Sequence, residues 1–346
     1  MTSYIIMYLL VVISGFICTF SKKLNSVIGV TLFPCIVLCI FFFSFRDITV
    51  GTDTKNYVQN FYTNWSTYNI EALYSFFNRF FYTVFHTHFI FFAFEATIVM
   101  ICSFILCEKQ SYFICFPLLF SLLYLPGLNI QRQVLALSCI LVVLFKHCRY
   151  SILDFILLIV CCFIHKSGMF FVAIYIFSRF INLTNKTYKI LFIGMFFLLY
   201  FHLFDKILFL IVNRTPYKDY INFFYEGGKK IENISVLNCI KWVLYFCLFN
   251  YTSSIVRKRN LYNSCILLMF VSDILAKQYP FLFRVSFLFS PIIIPCMVLV
   301  CRRISLMHKR KDIIFCTVVF AYYTLQFAAN LLIGQNDIIP FSFYSI

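Results

Sequence analysis

Apolar residues in this chain come in long blocks separated by short polar stretches. A helix needs about 20 mostly apolar residues to cross the hydrocarbon of a bilayer. Blocks of that kind lie at 4–20, 28–45, 88–107, 111–126, 130–147, 150–165, 168–178, 188–212, 236–256, 261–277, 281–301 and 312–334. They predict an all-α, polytopic transmembrane helix bundle of roughly 10–12 spans. The stretch 150–178 is too long for one straight crossing. His165, Lys166, Ser167 and Gly168 interrupt it, which predicts two helices joined by a tight turn. Two longer polar segments remain, about 46–87 and about 213–235. The first holds an amphipathic stretch at 71–81 suited to the membrane interface. The second carries the loop signals Pro216, Gly227 and Gly228. The whole chain, 1–346, is expected to form a single integral membrane domain.

Charge orients the spans. With the amino terminus outside, Lys22/Lys23, Lys109, Lys146/Arg149, Arg179/Lys186/Lys189, Arg257/Lys258/Arg259 and Arg302/Arg303/Lys309/Arg310/Lys311 all fall in inner loops. These are more than half of the 29 Lys and Arg residues, and the positive-inside rule favours that arrangement. The segments 46–87 and 213–235 then face outward. Lys22 and Lys23 follow the first apolar run instead of preceding it, so 4–20 reads as a retained span and not a cleaved signal. Topology also accounts for the net charge of +16, and nucleic acid is not an expected partner.

Composition agrees. The chain is 62% apolar and 12% charged, against about 25% charged residues in soluble domains. Its 48 Phe and 23 Tyr exceed what a soluble core of this size could hold, whereas the lipid bilayer accepts them. The 16 Cys include no CxxC pair and lie mostly inside apolar runs, as small buried hydrophobes do. His86 and His88 have no further metal ligands near them in sequence.

Four cations from separate segments sit at the outer ends of spans: Arg46, Arg132, Lys166 and Arg284. Charge near lipid is costly unless it snorkels, pairs or lines a wet cavity. Four cations on the face that disfavours positive charge suggest an anionic ligand. The planar guanidinium fork suits a diphosphate.

The stretch Arg46…Val50-Gly51-Thr52-Asp53-Thr54…Tyr57 resembles the first motif of the EpsG family. Ile130-Gln131-Arg132-Gln133-Val134-Leu135-Ala136 is similar to that family's Arg-Gln…Ala span, and His165-Lys166-Ser167 to its His-Lys/Ser turn. Arg284 fits its late basic span start. Pro340-Phe341 resembles its terminal Pro-aromatic element, with Phe where Tyr is expected. The ordered set covers nearly the whole chain.

The resemblance implies a GT-C-like membrane glycosyltransferase, specifically a Wzy-type O-antigen polysaccharide polymerase in the bacterial inner membrane. It implies an active face toward the periplasm and a substrate of oligosaccharide repeat units on undecaprenyl diphosphate. A chain-length regulator protein is an implied partner. The bond broken would join sugar to diphosphate, and Arg132 and Arg284 are assigned first to that leaving group, supported by Arg46 and Lys166. Gln133 and Tyr57 are candidates for substrate contact. No acidic cluster resembles a metal site, so no cofactor is expected and leaving-group stabilisation is read as metal-independent.

His165 and Asp53 are candidates for the base that activates the acceptor hydroxyl. His165 could equally hold its turn, and Asp53 could pair with Arg46 or cap a turn. Tyr57 and Trp65 could stack on sugars or belong to an aromatic belt. Two other functions fit the same pattern. One is a ligase that moves finished glycan to another acceptor. The other is a flippase, which would need charges along a path through the midplane. Only Lys241 and Asp273 approach that, and both read as snorkelling or structural.

Overall fold

The computed structural model describes residues 1–21, 28–63, 71–146, 150–200, 236–253, 258–279, 282–307, 310–334 and 341–342. The segment 213–235, Trp65 and Pro340 lie outside the described residues. Among the described residues every regular element is helical, as the apolar blocks predict.

The helices are α1 (Thr2–Phe20), α2 (Phe33–Ser44, entered through a π turn at Ile28–Leu32), α3 (Thr54–Tyr62), α4 (Ala72–Phe85) and α5 (His88–Leu106). Next come α6 (Lys109–Gly127), α7 (Gln131–Phe145), α8 (Ile152–Cys162), α9 (Gly168–Phe180) and α10 (Asn185–Tyr200). The last four are α11 (Val236–Ser253), α12 (Arg259–Gln278), α13 (Phe283–Met307) and α14 (Arg310–Ile333). Among the described residues α1, α5, α6, α13 and α14 are long and apolar enough to cross a membrane, and shorter apolar helices run over Val30–Ser44, Gln131–Phe145, Ile152–Cys162 and Gly168–Phe180. This is a multi-pass membrane protein.

Local chemistry explains several boundaries. Pro34 sits in the first turn of α2, where its missing N–H costs no helical bond. Ser151 caps α8 by accepting the Asp154 N–H at 3.0 Å. His86 ends α4 in the left-handed region, at φ 54°, and the chain turns at once into α5. Inside α6, Pro117 removes a donor and a π turn follows at Phe120–Tyr124. The Ser121 hydroxyl donates to the Pro117 carbonyl at 2.8 Å in that widened stretch.

The chain divides into two compact units, Met1–Tyr175 with Ile294–Ile346, and Ile176–Ile293. In the first unit α1 packs on α6, α2 on α5, α5 on α7, α7 on α8, and α14 on α6. A Cβ on Gly15 would lie 2.7 Å from the Tyr112 carbonyl oxygen, so the close approach of α1 to α6 requires glycine. α1 buries Tyr4, Met7, Tyr8, Val11 and Cys18 and exposes Ile6, Leu9, Ile13 and Phe16. Its inner face carries the hydroxyls and its outer face is apolar, as lipid demands. In the second unit α12 packs on α10, on α11 and on the first turns of α13.

Candidate functional site

The site of the first unit begins with the loop after α2. Gly51 has φ +87°, and a Cβ there would meet the Leu128 carbonyl oxygen at 2.7 Å. Only glycine allows both the conformation and the approach. The loop is bonded to the turn between α6 and α7. The Thr54 hydroxyl reaches the Val50 carbonyl at 2.6 Å and the Leu128 carbonyl at 3.0 Å. Asn129 Oδ1 accepts the Thr52 hydroxyl at 2.7 Å and the Asp53 N–H at 2.9 Å. The Gly51-Thr52-Asp53-Thr54 motif therefore serves to dock one segment on another.

Docking buries Arg46, which is only 1% exposed. Its guanidinium lies 4.5 Å from the Phe43 ring centre and 4.7 Å from that of Phe92. It donates to the Phe43 carbonyl, and Nε lies 3.5 Å from the Thr54 hydroxyl. With its amide turned so that both ends are satisfied, Gln131 accepts from Arg46 and donates to Glu95 Oε2 at 3.3 Å. Glu95, also 1% exposed, accepts that amide from its place on α5. Burial pulls the Arg46 guanidinium down to about 10, and Glu95 is the first group to oppose that pull. Arg46 thus stays charged at neutral pH. It is enclosed by protein and does not snorkel to headgroups.

Arg132, in the first turn of α7, is placed differently. Its side chain is 25% exposed and Nη1 meets Glu71 Oε2 at 2.9 Å. The guanidinium lies 5.8 Å from the Tyr57 ring centre and 5.6 Å from that of Tyr74. Burial raises the Tyr57 phenol above its ordinary value, and Arg132 works against that rise. Glu71 also fixes the turn between α8 and α9, because its Oε1 accepts the Lys166 N–H at 3.1 Å. The start of α4 bonds to the same region: the N–H groups of Leu73 and Tyr74 reach the Phe163 carbonyl at 3.0 and 3.3 Å. These otherwise unsatisfied first-turn donors find their acceptor on another helix.

His165 Nδ1 accepts the Ser167 N–H at 3.2 Å and lies 2.6 Å from the Ser167 hydroxyl. The ring therefore holds its turn through Nδ1. Lys166 is exposed. Gln133 is buried on α7, and Asp53 is half-buried at the start of α3.

Arg46, Asp53, Tyr57, Arg132, Gln133, His165 and Lys166 all belong to the first unit. Arg284 belongs to the second, where it is exposed in the first turn of α13 with its guanidinium 5.9 Å from the Phe283 ring centre. The second unit has a charged core of its own. Lys241 pairs with Asp273, whose other oxygen accepts the Trp242 indole N–H at 2.9 Å. Lys241 is 7% exposed and Asp273 3%, so the pair is a buried structural bond and does not snorkel. His88, 2% exposed, lies 3.1 Å through Nδ1 from the Tyr62 hydroxyl. Among the described residues no group of three or more His, Cys, Asp or Glu could hold a metal ion.

Sequence reasoning missed Glu95, met Gln131 only as a member of the Arg132 motif, and saw Glu71 and Tyr74 only as part of an amphipathic stretch. Glu95 left a usable signal, a carboxylate well inside an apolar block.

The element at the end of the chain also joins this unit. Phe341 packs edge-on against Tyr4 at 5.4 Å and at a tilt against Phe42 at 5.2 Å, and the Ser342 carbonyl accepts the Asp47 N–H at 2.9 Å. No curated protein and no solved structure matches the chain. The model of the EpsG family matches residues 30–343, which takes in the docked loop, Arg132, the His165 turn, Arg284 and the Phe341 element. With nearly the full length matched, the chain belongs to the EpsG family.

Proposed function

We propose that this chain polymerises lipid-linked oligosaccharide repeat units into a surface polysaccharide, in the manner of Wzy-type polymerases. The substrate is a repeat unit on undecaprenyl diphosphate, and the reaction takes place at the periplasmic face of the bacterial inner membrane. The growing glycan leaves its diphosphate carrier and is joined to a hydroxyl of the next unit. The observation that carries this reading is the placement of Arg132. It is a partly exposed guanidinium, framed by Tyr57 and Tyr74 and set beside the Lys166 turn.

The charge that builds on the leaving diphosphate is met by Arg132, whose orientation is already fixed by its neighbours, so little reorganisation is needed during the reaction. The exposed Lys166 ammonium adds positive charge nearby. Arg46 acts from behind, by fixing the loop that carries Asp53 and Tyr57. Arg284, in the second unit, is a further diphosphate-binding candidate on the family resemblance. The acceptor hydroxyl is deprotonated by Asp53 or by His165 through Nε2.

The test is complementation of a deletion strain, read on gels of surface polysaccharide. Arg132→Ala is expected to give single-unit caps in place of long ladders, with a loss of about 10²–10³-fold in polymerisation. Full ladders at normal protein level from Arg132→Ala would overturn the assignment. A ligase would instead leave long lipid-linked chains in the deletion strain.

A further inference from the structure

Glu71 makes two contacts that have the form of anion recognition. One carboxylate oxygen takes a guanidinium N–H of Arg132 at 2.9 Å, and the other takes the backbone N–H of Lys166 at 3.1 Å. A phosphate group presents the same fork of two oxygens to two donors. The neighbouring N–H groups of the turn are already committed within it. Ser167 N–H goes to His165 Nδ1, Gly168 N–H to the His165 carbonyl and Met169 N–H to the Lys166 carbonyl. Lys166 N–H is the one this turn directs at a group from another helix.

We propose that the Glu71 carboxylate is a placeholder in a phosphate subsite, and that the diphosphate of the lipid-linked substrate displaces it from Arg132 and the Lys166 N–H. This rests on the reading of Arg132 given above and adds the position, the second donor and the competitor. A ligand can reach the pair from the Arg132 side, which is 25% exposed and adjoins the exposed Lys166, although the Glu71 side chain itself is 8% exposed. The Arg46–Gln131–Glu95 group is enclosed and has no such freedom. Charge favours the exchange. A diphosphate brings more negative charge to Arg132 and Lys166 than one carboxylate does, and Glu71, once released, is an acid at the rim instead of a buried ion.

An internal competitor lowers the apparent affinity for the ligand by the fraction of time that it leaves the site open. Removing its charge should therefore tighten binding. The experiment is titration of the full chain, held in zwitterionic nanodiscs, with inorganic pyrophosphate. Glu71→Gln keeps a carbonyl oxygen for the Lys166 N–H and loses the charge. It is expected to bind about tenfold more tightly than the unaltered protein. Arg132→Gln is expected to lose binding.

If Glu71→Gln does not fold, as judged by its thermal melt, Glu71→Asp draws the carboxylate back by one methylene and should shift affinity in the same direction. Unchanged or weaker binding in the folded Glu71 variants, with binding still lost in Arg132→Gln, overturns the placeholder and leaves the Arg132 reading intact. Unaltered binding in Arg132→Gln overturns that reading and the placeholder with it. Binding that requires anionic phospholipid in the disc and ignores pyrophosphate shows a headgroup site, and overturns the proposal as well.

Discussion

Arg46 and Arg132 come from different motifs of the same family, yet the molecule uses them in different ways. Arg46 is enclosed by two phenyl rings, a backbone carbonyl and Gln131, with Glu95 behind the amide. Arg132 keeps a quarter of its side chain open and pairs with a carboxylate that also serves another segment. Removal of a charge from water is costly and is offset only by complete pairing. Arg46 therefore contributes to the framework, whereas Arg132 is the one proposed above to meet the ligand. Identity as a motif arginine does not separate these roles, and burial does.

The contrast can be broken by stability measurements on purified variants in detergent. Arg46→Ala opens a cavity between the Phe43 and Phe92 rings and takes the donor from the Phe43 carbonyl and Gln131, and a loss of about 3–5 kcal/mol is expected. Arg132→Ala takes one partner from a carboxylate that is 8% exposed but still bound by the Lys166 N–H, and should cost about 1–2 kcal/mol, although its polymerisation fails. Equal thermal destabilisation of the two would remove the distinction.

Gly51→Ala comes next. The left-handed φ and the 2.7 Å approach to the Leu128 oxygen predict a loss of about 1–3 kcal/mol, with Arg46 freed from its enclosure. Hydrogen exchange around residues 46–57 should rise in that variant, and unchanged protection would show that the loop is held by other means. The smallest effect belongs to Thr52→Val, which removes one hydroxyl from Asn129 while the Asp53 N–H stays bound. About 1 kcal/mol is expected from a thermal melt.

The helices were legible in the sequence because lipid imposes a length and a composition on each crossing. The block at 88–107 became His88–Leu106, and the stretch 150–178 broke into two helices at His165 to Gly168. The site was legible only in part. Arg46, Arg132 and the His165 turn announced themselves as polar groups in apolar surroundings. Their partners did not. Glu71 reaches Arg132 and Lys166 across 61 and 95 positions of sequence, and Asn129 reaches Thr52 across 77. Such pairings depend on how helices pack, which no local pattern encodes. The Lys241–Asp273 bond is of the same kind: each residue alone looked like a span-end charge, and together they hold α11 to α12.

The widened turn at Phe120–Tyr124 has a consequence for how this region can change over evolution. One residue more or less in a helix swings all that follows by about 100°. Asn129, on which the loop at Gly51 to Thr54 is docked, lies just downstream. A deletion that restored ordinary winding to α6 would carry the asparagine amide away from its partners while leaving every side chain chemically intact. Side-chain identity can drift along this helix so long as shape is kept, but the tally of residues between Pro117 and Asn129 cannot.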